Sequence, residues 1–447
     1  MKAKQDFVWG AATASFQIEG AAYEDGKSPS IWDVFCEVPG NVFEGHNGLV
    51  ACDHYHRVDE DVKLMAQIGI KAYRFSVSWP RIMPSGSGEV NPKGIEFYNH
   101  LIDKLKEYNI EPYLTLYHWD LPYELQCRGG WVNDDIADLF GSYAKVIAEN
   151  FSDRVSHFIT LNEPQVFIGL GYLDGTHAPG YKDRSPREML RMGHNVLRAH
   201  GKAVEALRKY SHQPVKIGLA SASCPAYPKA ETPELIEAAR QSYFNCAHDR
   251  FVYNDAYWFD PIYLGKYNDG LIEKYGDIMP KITPEDMALI SQPIDFYGLN
   301  IYQGREVDEN GNTPRKTGFP RTSINWIINE QALYWGPKFI YERYHKPIYI
   351  TENGMAAHDR VSLDGKVHDP NRIDYMQRYL REFLRAGEDG TDIAGYFAWS
   401  LMDNFEWGYG YNERFGLIYV DYQTQERTLK DSAVWYGEVI KTNGEIL

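Results

Sequence analysis

The chain has 447 residues, in which 46 lysines and arginines stand against 62 aspartates and glutamates, a formal net charge of −16. Charge of that sign repels phosphate backbones and anionic headgroups, which argues against nucleic acid and membrane surfaces as partners. A composition 44% apolar and 14% aromatic builds a large core and excludes a disordered or fibrous chain.

The first seven residues, MKAKQDF, carry two lysines, but Thr13, Ser15, Gln17 and Glu19 interrupt any apolar run behind them, so no secretory signal is expected. Short runs of β-branched and aromatic residues bounded by Gly, Pro, Asn or Asp occur at 7–13, 72–79, 112–119, 156–161, 215–221, 294–302, 347–351 and 393–399. They predict eight strands. Between them, residues 57–68, 93–108, 136–151, 235–248 and 372–386 return an apolar side chain every three or four positions and predict helices. Strand and helix alternate with no second strand following directly, which implies parallel strands joined by helical crossovers. By length alone the chain divides into two or three domains. Eight such units instead predict an α/β fold with a single (β/α)8 TIM barrel over residues 1–447 and its site at the C-terminal ends of the strands. A doubly wound sheet would open on a Gly-rich phosphate turn, which the first turn, WGAATASFQIEG, lacks. The polar stretch 305–322 reads as a mobile surface loop. Five scattered cysteines without a CxxC, at 36, 52, 127, 224 and 246, read as reduced thiols and a cytoplasmic location.

The strand ends are rich in polar and aromatic groups: Gln17 after the first, Arg74 in the second, His118 and Trp119 at the third, Asn162 and Glu163 at the fourth. Asn300 and Tyr302 end the sixth, Glu352 the seventh, and Trp399 the eighth, with Glu406 and Trp407 shortly beyond. Such groups on one rim suit a polyhydroxylated ligand. Splitting an acetal between two sugars needs a proton for the leaving oxygen and a nucleophile or activated water, so two carboxyl groups are the minimum. Glu163 and Glu352 each end an apolar run, HFITLNEP and PIYITENG, where an acid is costly unless it faces a cavity or a partner.

TLNEP at 160–164 and ITENG at 350–354 resemble the acid/base and nucleophile motifs of glycoside hydrolase family 1, the β-glucosidases and their relatives. The resemblance spans the chain, through YRFSVSWPRI at 73–82 and YHWDLP at 117–122 to WSLMDNFEW at 399–407 and RFGLIYVD at 414–421. It implies that Glu352 attacks the anomeric carbon while Glu163 protonates the leaving group and then activates water, with retention of configuration and carboxyl groups about 5–5.5 Å apart. Arg74 and Tyr302 would keep Glu352 ionised. Gln17, His118, Trp119, Asn162, Asn300, Tyr302, Glu406 and Trp407 would grip the sugar, with Trp399 as its floor, Phe415 as a wall and Trp326 on the aglycone side. Glu406, an acceptor that repels phosphate, implies neutral β-glucosides and cello-oligosaccharides and no cofactor. Where the family usually reads Pro-Glu-Gly-Leu, shortly after Trp326, this chain reads Glu330-Gln331-Ala332-Leu333, so aglycone preference is not inherited. A transglycosylase on the same two glutamates, a sugar-binding barrel without catalysis, and a homo-oligomer remain open.

Weaker signals read as ordinary structure. Gly26-Lys27-Ser28 lacks the first glycine of a phosphate loop, His54 and His56 lack a third metal ligand nearby, and Gly169-Leu170-Gly171 opens no βαβ unit.

Overall fold

In a computed structural model describing residues 2–314 and 317–447, eight parallel strands close a barrel. They are β1 (Val8–Ala12), β2 (Ala72–Ser76), β3 (Glu111–Tyr117), β4 (His157–Asn162), β5 (Lys216–Ser223), β6 (Phe296–Ile301), β7 (Ile348–Asn353) and β8 (Ile393–Trp399). Each pairs with its sequence neighbours, and β8 returns to β1 in the register Val8↔Gly395 to Ala12↔Trp399. All eight predicted strands are present. The second is shorter than expected because Trp79 starts a helical turn, Trp79–Ile82.

The crossovers form where the sequence supplies both a start signal and an apolar face. Pro92–Glu107 begins with Asn91, whose side chain accepts from the Lys93 N–H, and with proline in its first turn. Its buried face carries Phe97, Tyr98, Leu101, Ile102 and Leu105. The 25-residue helix Pro186–Tyr210 opens on a reciprocal cap between Ser185 and Glu188.

Inside the barrel, Tyr113, Phe296, Tyr349 and Phe397 fill the lower layer, with ring centroids 5.0 Å apart for Tyr113 and Phe397 and 5.1 Å for Phe296 and Tyr349. Glycines make the room. A Cβ on Gly10 would lie 2.5 Å from the Phe397 ring, and one on Gly218 would collide with Phe296. The interior is thus a packed floor, and space opens only at the C-terminal mouth.

The strict alternation of strand and helix does not hold. Ala226–Pro228 follows β5 directly and pairs in parallel with Arg305–Val307, which follows β6. The stretch read as a loop from residue 305 therefore begins as a strand; Arg315 and Lys316 lie outside the described residues. A second small pair, Ile418–Val420 with Arg427–Leu429, is antiparallel. Among the described residues no helix is long and apolar enough to cross a membrane. His54 Nδ1 lies 2.7 Å from the Asp61 carboxylate, and His56 is bonded to Asp53 and Glu24.

Candidate active site

Glu163 directly follows β4. Its backbone is left-handed, at φ 51°, its N–H donates to the Ala220 carbonyl at 2.8 Å, and Pro164 starts the next helix at a position that needs no N–H donor. Glu352 is the penultimate residue of β7. Two residues on, a Cβ at Gly354 would collide with the Trp399 carbonyl oxygen, so only glycine lets this turn pass over β8. Both carboxyls line one cavity of about 770 Å³ at the barrel mouth.

Their surroundings differ. Glu352 accepts from Arg74 Nη1 at 2.6 Å and from the Tyr302 hydroxyl at 2.7 Å. Arg74 is itself held by Thr115 Oγ1 at 3.2 Å, the Thr351 carbonyl at 3.1 Å and Asn162 Oδ1 at 2.6 Å, so one guanidinium ties β2, β3, β4 and β7 together. Among the described residues no cation pairs with Glu163. It accepts from Asn300 Nδ2 at 2.7 Å, and Thr351 Oγ1 orients that amide by donating to Asn300 Oδ1 at 2.6 Å.

Burial, followed by the negative charge of Glu352, pushes Glu163 well above the usual carboxylate range. Burial also raises Glu352, but Arg74, Tyr302 and Asn300 all pull it back. A proton shared between the two therefore rests on Glu163 and leaves Glu352 charged.

Around the pair lie unsatisfied polar atoms. His118 accepts at Nε2 from Asn162 Nδ2 at 3.1 Å, which leaves the imidazole proton on Nδ1, buried and without a partner. Burial and Arg74 hold His118 far below the ordinary imidazole range, so the ring is neutral. Glu406 Oε2 and Gln17 Oε1 are likewise buried and unpartnered. In a well-packed protein such atoms cost stability unless a ligand completes them. Burial and the charge of Glu352 raise Glu406 to about 8, which holds this carboxyl protonated at neutral pH.

Aromatic walls complete the cavity. Trp399 lies nearly parallel to His118 at 5.8 Å, and Trp407 packs against Trp119 at 4.4 Å. Opposite them Trp326 stands 5.0 Å from Tyr302 and 5.9 Å from Phe415. The segment carrying Glu406 and Trp407 is anchored by Asp403, which accepts from Lys430 at 2.6 Å, Arg414 at 2.7 Å and the Gly416 N–H at 3.0 Å.

Eleven of the fourteen residues singled out in the sequence line this cavity: Glu163, Glu352, His118, Trp119, Asn300, Tyr302, Trp326, Trp399, Glu406, Trp407 and Phe415. Arg74, Asn162 and Gln17 are fully buried just beneath it. Gln17 Nε2 donates to Asn404 Oδ1 at 3.0 Å and the Phe405 carbonyl at 2.8 Å, bracing the Glu406 segment. Sequence reasoning missed His177, which lines the wall between Trp32 and Trp119 at 5.2 and 5.5 Å. Burial lowers it to about 3, so it is neutral. Its segment, GTHAPG, shows neither periodicity nor motif, and only the turn after Glu163 delivers it.

A barrel mouth that sets a protonated against an ionised carboxyl between aromatic walls defines a glycoside hydrolase. The chain belongs to glycosyl hydrolase family 1, whose model matches residues 2–445. It is 48% identical over 450 residues to a 1,4-β-D-glucan glucohydrolase of Thermotoga neapolitana, covering 99% of both chains. It is 41% identical over 478 residues to an aryl-phospho-β-D-glucosidase of Bacillus subtilis, covering 99% of this chain and 98% of that one. Among solved structures, the β-glucosidase from Thermotoga maritima in complex with glucoimidazole matches with a TM-score of 0.91 at 46% identity over 99% of each chain.

Proposed function

We propose that this chain is a retaining β-glucosidase acting on neutral, terminal β-D-glucosyl residues of cellobiose-like and aryl glucosides. The observation that carries the reading is the unequal treatment of two otherwise identical carboxyls. Glu352, charged and aimed by Arg74 and Tyr302, attacks the anomeric carbon. Glu163 gives its proton to the departing oxygen as that bond breaks. The ester that forms consumes the charge of Glu352, which removes the largest charge that raises Glu163. Glu163, now the weaker acid's conjugate base no longer opposed by its neighbour, takes a proton from water, and the water opens the ester from the face the aglycone left. Asn300 supports the narrow spacing this requires, since its amide bonds Glu163 and also acts on Glu352.

Family membership alone does not choose between free and phosphorylated sugars, because relatives of both kinds are close. The neutral reading rests on charge. Among the described residues the guanidinium beside the carboxyls, that of Arg74, is committed to Glu352, and Glu406, neutral while it holds its proton, offers a phosphate no positive charge. His118, Glu406 and Trp407 are assigned to the sugar hydroxyls, with Gln17 bracing the Glu406 segment from beneath, Trp399 to the sugar's face, and Trp326 to the aglycone side.

Residues 1–447 are read as one catalytic unit, because Asn443 near the C-terminus bonds both the Trp9 indole and the Ala3 carbonyl at 2.9 Å. Five free cysteines, three of them buried, support a cytoplasmic location. Nitrophenol release from the β-glucoside, with Glu352→Gln as control, tests the activity, and proton NMR of the first-formed glucose tests retention. Turnover no faster than the control, or α-glucose as the first product, would overturn the proposal, and preference for the 6-phosphoglucoside would overturn its neutral substrate.

A further inference from the structure

Glu163 has to hold one position through two proton transfers, yet its own backbone resists it. A side chain at φ 51° stands in the left-handed region that non-glycine residues disfavour, and Pro164 has no N–H with which to tie the turn back. The turn is instead gripped from the side by the end of β5. The Glu163 N–H donates to the Ala220 carbonyl at 2.8 Å, Gln165 Nε2 donates to Ser221 Oγ at 2.6 Å, and the Ala222 N–H donates to Gln165 Oε1 at 3.3 Å. Three consecutive residues of one strand thus hold the turn on both sides of Pro164.

Behind this grip lies a carboxyl. Asp255 opens the short helix Asp255–Phe259 and accepts from Gln165 Nε2 at 3.2 Å, from the Ser223 hydroxyl at 2.6 Å and from the Ser221 hydroxyl. Ser221 and Ser223 share one face of β5, so a single carboxyl spans strand and turn. Its own place is fixed by Asn254, whose Nδ2 donates to the Tyr243 and Asn245 carbonyls at 2.9 and 3.0 Å and whose Oδ1 accepts the Ala256 N–H at 2.9 Å. The cavity wall here is Gln165, Ala222 and Ser223, and Asp255 stands behind it. Among the described residues no cation pairs with Asp255, and burial pushes its carboxyl up. An acid buried on those terms is costly, and its hydrogen bonds converge on the turn that carries Glu163.

We propose that Asp255 is a positioning residue for the acid/base step: through Gln165 and Ser221 it locks the left-handed turn that aims Glu163, and so sets how well the leaving oxygen is protonated. The proposal rests on the glucosidase reading above and concerns a group behind the sugar site rather than in it. A displacement of about 1 Å at a reacting group costs about 10²-fold in rate, which is the scale on which such a lock matters.

The test compares kcat/KM for phenyl β-glucoside, whose leaving oxygen is basic enough to need a proton, with that for dinitrophenyl β-glucoside, whose leaving group needs none. The ratio of the first to the second is expected to fall about 10- to 100-fold in Asp255→Ala and about 2- to 10-fold in Ser221→Ala, the worth of one hydrogen bond. Introduced into Glu163→Ala, which has no acid left to aim, both substitutions should leave the ratio unchanged. Dinitrophenol release shows that each variant is folded, and Ser221→Ala decides where Asp255→Ala releases none. A ratio that stays flat beside the intact Glu163, a fall shared by both substrates, or a fall that persists in Glu163→Ala overturns the positioning role alone. A wild type that releases no dinitrophenol overturns the glucosidase reading instead, and the positioning role with it.

Discussion

Replacing Tyr302 by phenylalanine removes one hydroxyl and leaves the wall it forms with Trp326 and Phe415 in place. That hydroxyl donates to Glu352 Oε2 at 2.7 Å, and its own pKa lies well above the ordinary phenol value, so it remains a donor throughout the working pH range. A hydrogen bond to a charged acceptor is worth about 1.5–3 kcal/mol, and 1.36 kcal/mol is one pKa unit. The loss falls on the ionised form of Glu352, so its pKa rises by about 1–2 units. Arg74 still holds Oε1, which keeps the nucleophile competent once it is charged. In the profile of kcat/KM for nitrophenyl β-glucoside between about pH 4 and 9, the acid limb should therefore move up by about 1–2 units. The alkaline limb, which reports Glu163, should stay within a few tenths, so the bell narrows and its maximum drops. An acid limb that stays put or moves down would refute the role given to Tyr302.

Three further outcomes are expected. Glu163→Ala should hydrolyse cellobiose at least about 10³-fold more slowly while losing far less on nitrophenyl glucoside, whose leaving group needs little protonation; equal losses on both would remove Glu163 as the acid. Glu406 is held at about 8 against an ordinary 4.5, so between those values the folded state keeps a proton that the unfolded chain has released, and stability falls as pH rises by up to about 1.4 kcal/mol per unit. Glu406→Gln lacks that slope, so its urea-unfolding free energy should gain on the wild type from about pH 5 to 8, and parallel curves would contradict the shift. Lys430→Met leaves Asp403 and Asp359 without the ammonium that bonds them at 2.6 and 2.5 Å; stability should drop by about 3–5 kcal/mol, and a drop below about 1 kcal/mol would show that Arg414 and Arg372 suffice.

Much of the architecture was legible because its causes are local. A β-branched run between turn residues makes a strand wherever the fold puts it, and helix periodicity records which face is buried. The two carboxyls were legible for the same reason, each being an acid at the end of an apolar run. The small sheet of Ala226–Pro228 with Arg305–Val307 was not, because its partners are about 80 residues apart and each is too short to register as a strand. Lining and support were also indistinguishable in the sequence. Gln17 and Asn162 carry the same kind of amide as Asn300, yet they sit one layer under the surface that Asn300 reaches.

The sequence by itself determined that eight strands alternate with helices and that an acid ends the fourth and the seventh. Which of those acids carries the proton is a different kind of fact. Glu163 and Glu352 are chemically the same side chain, and no local pattern separates them. The difference is made by Arg74, 278 residues from Glu352 in the chain and 2.6 Å from it in space, and by the burial that makes one uncompensated charge so costly. Desolvation and Coulomb attraction depend on what surrounds a group in three dimensions, so only the closed barrel decides which glutamate attacks and which donates.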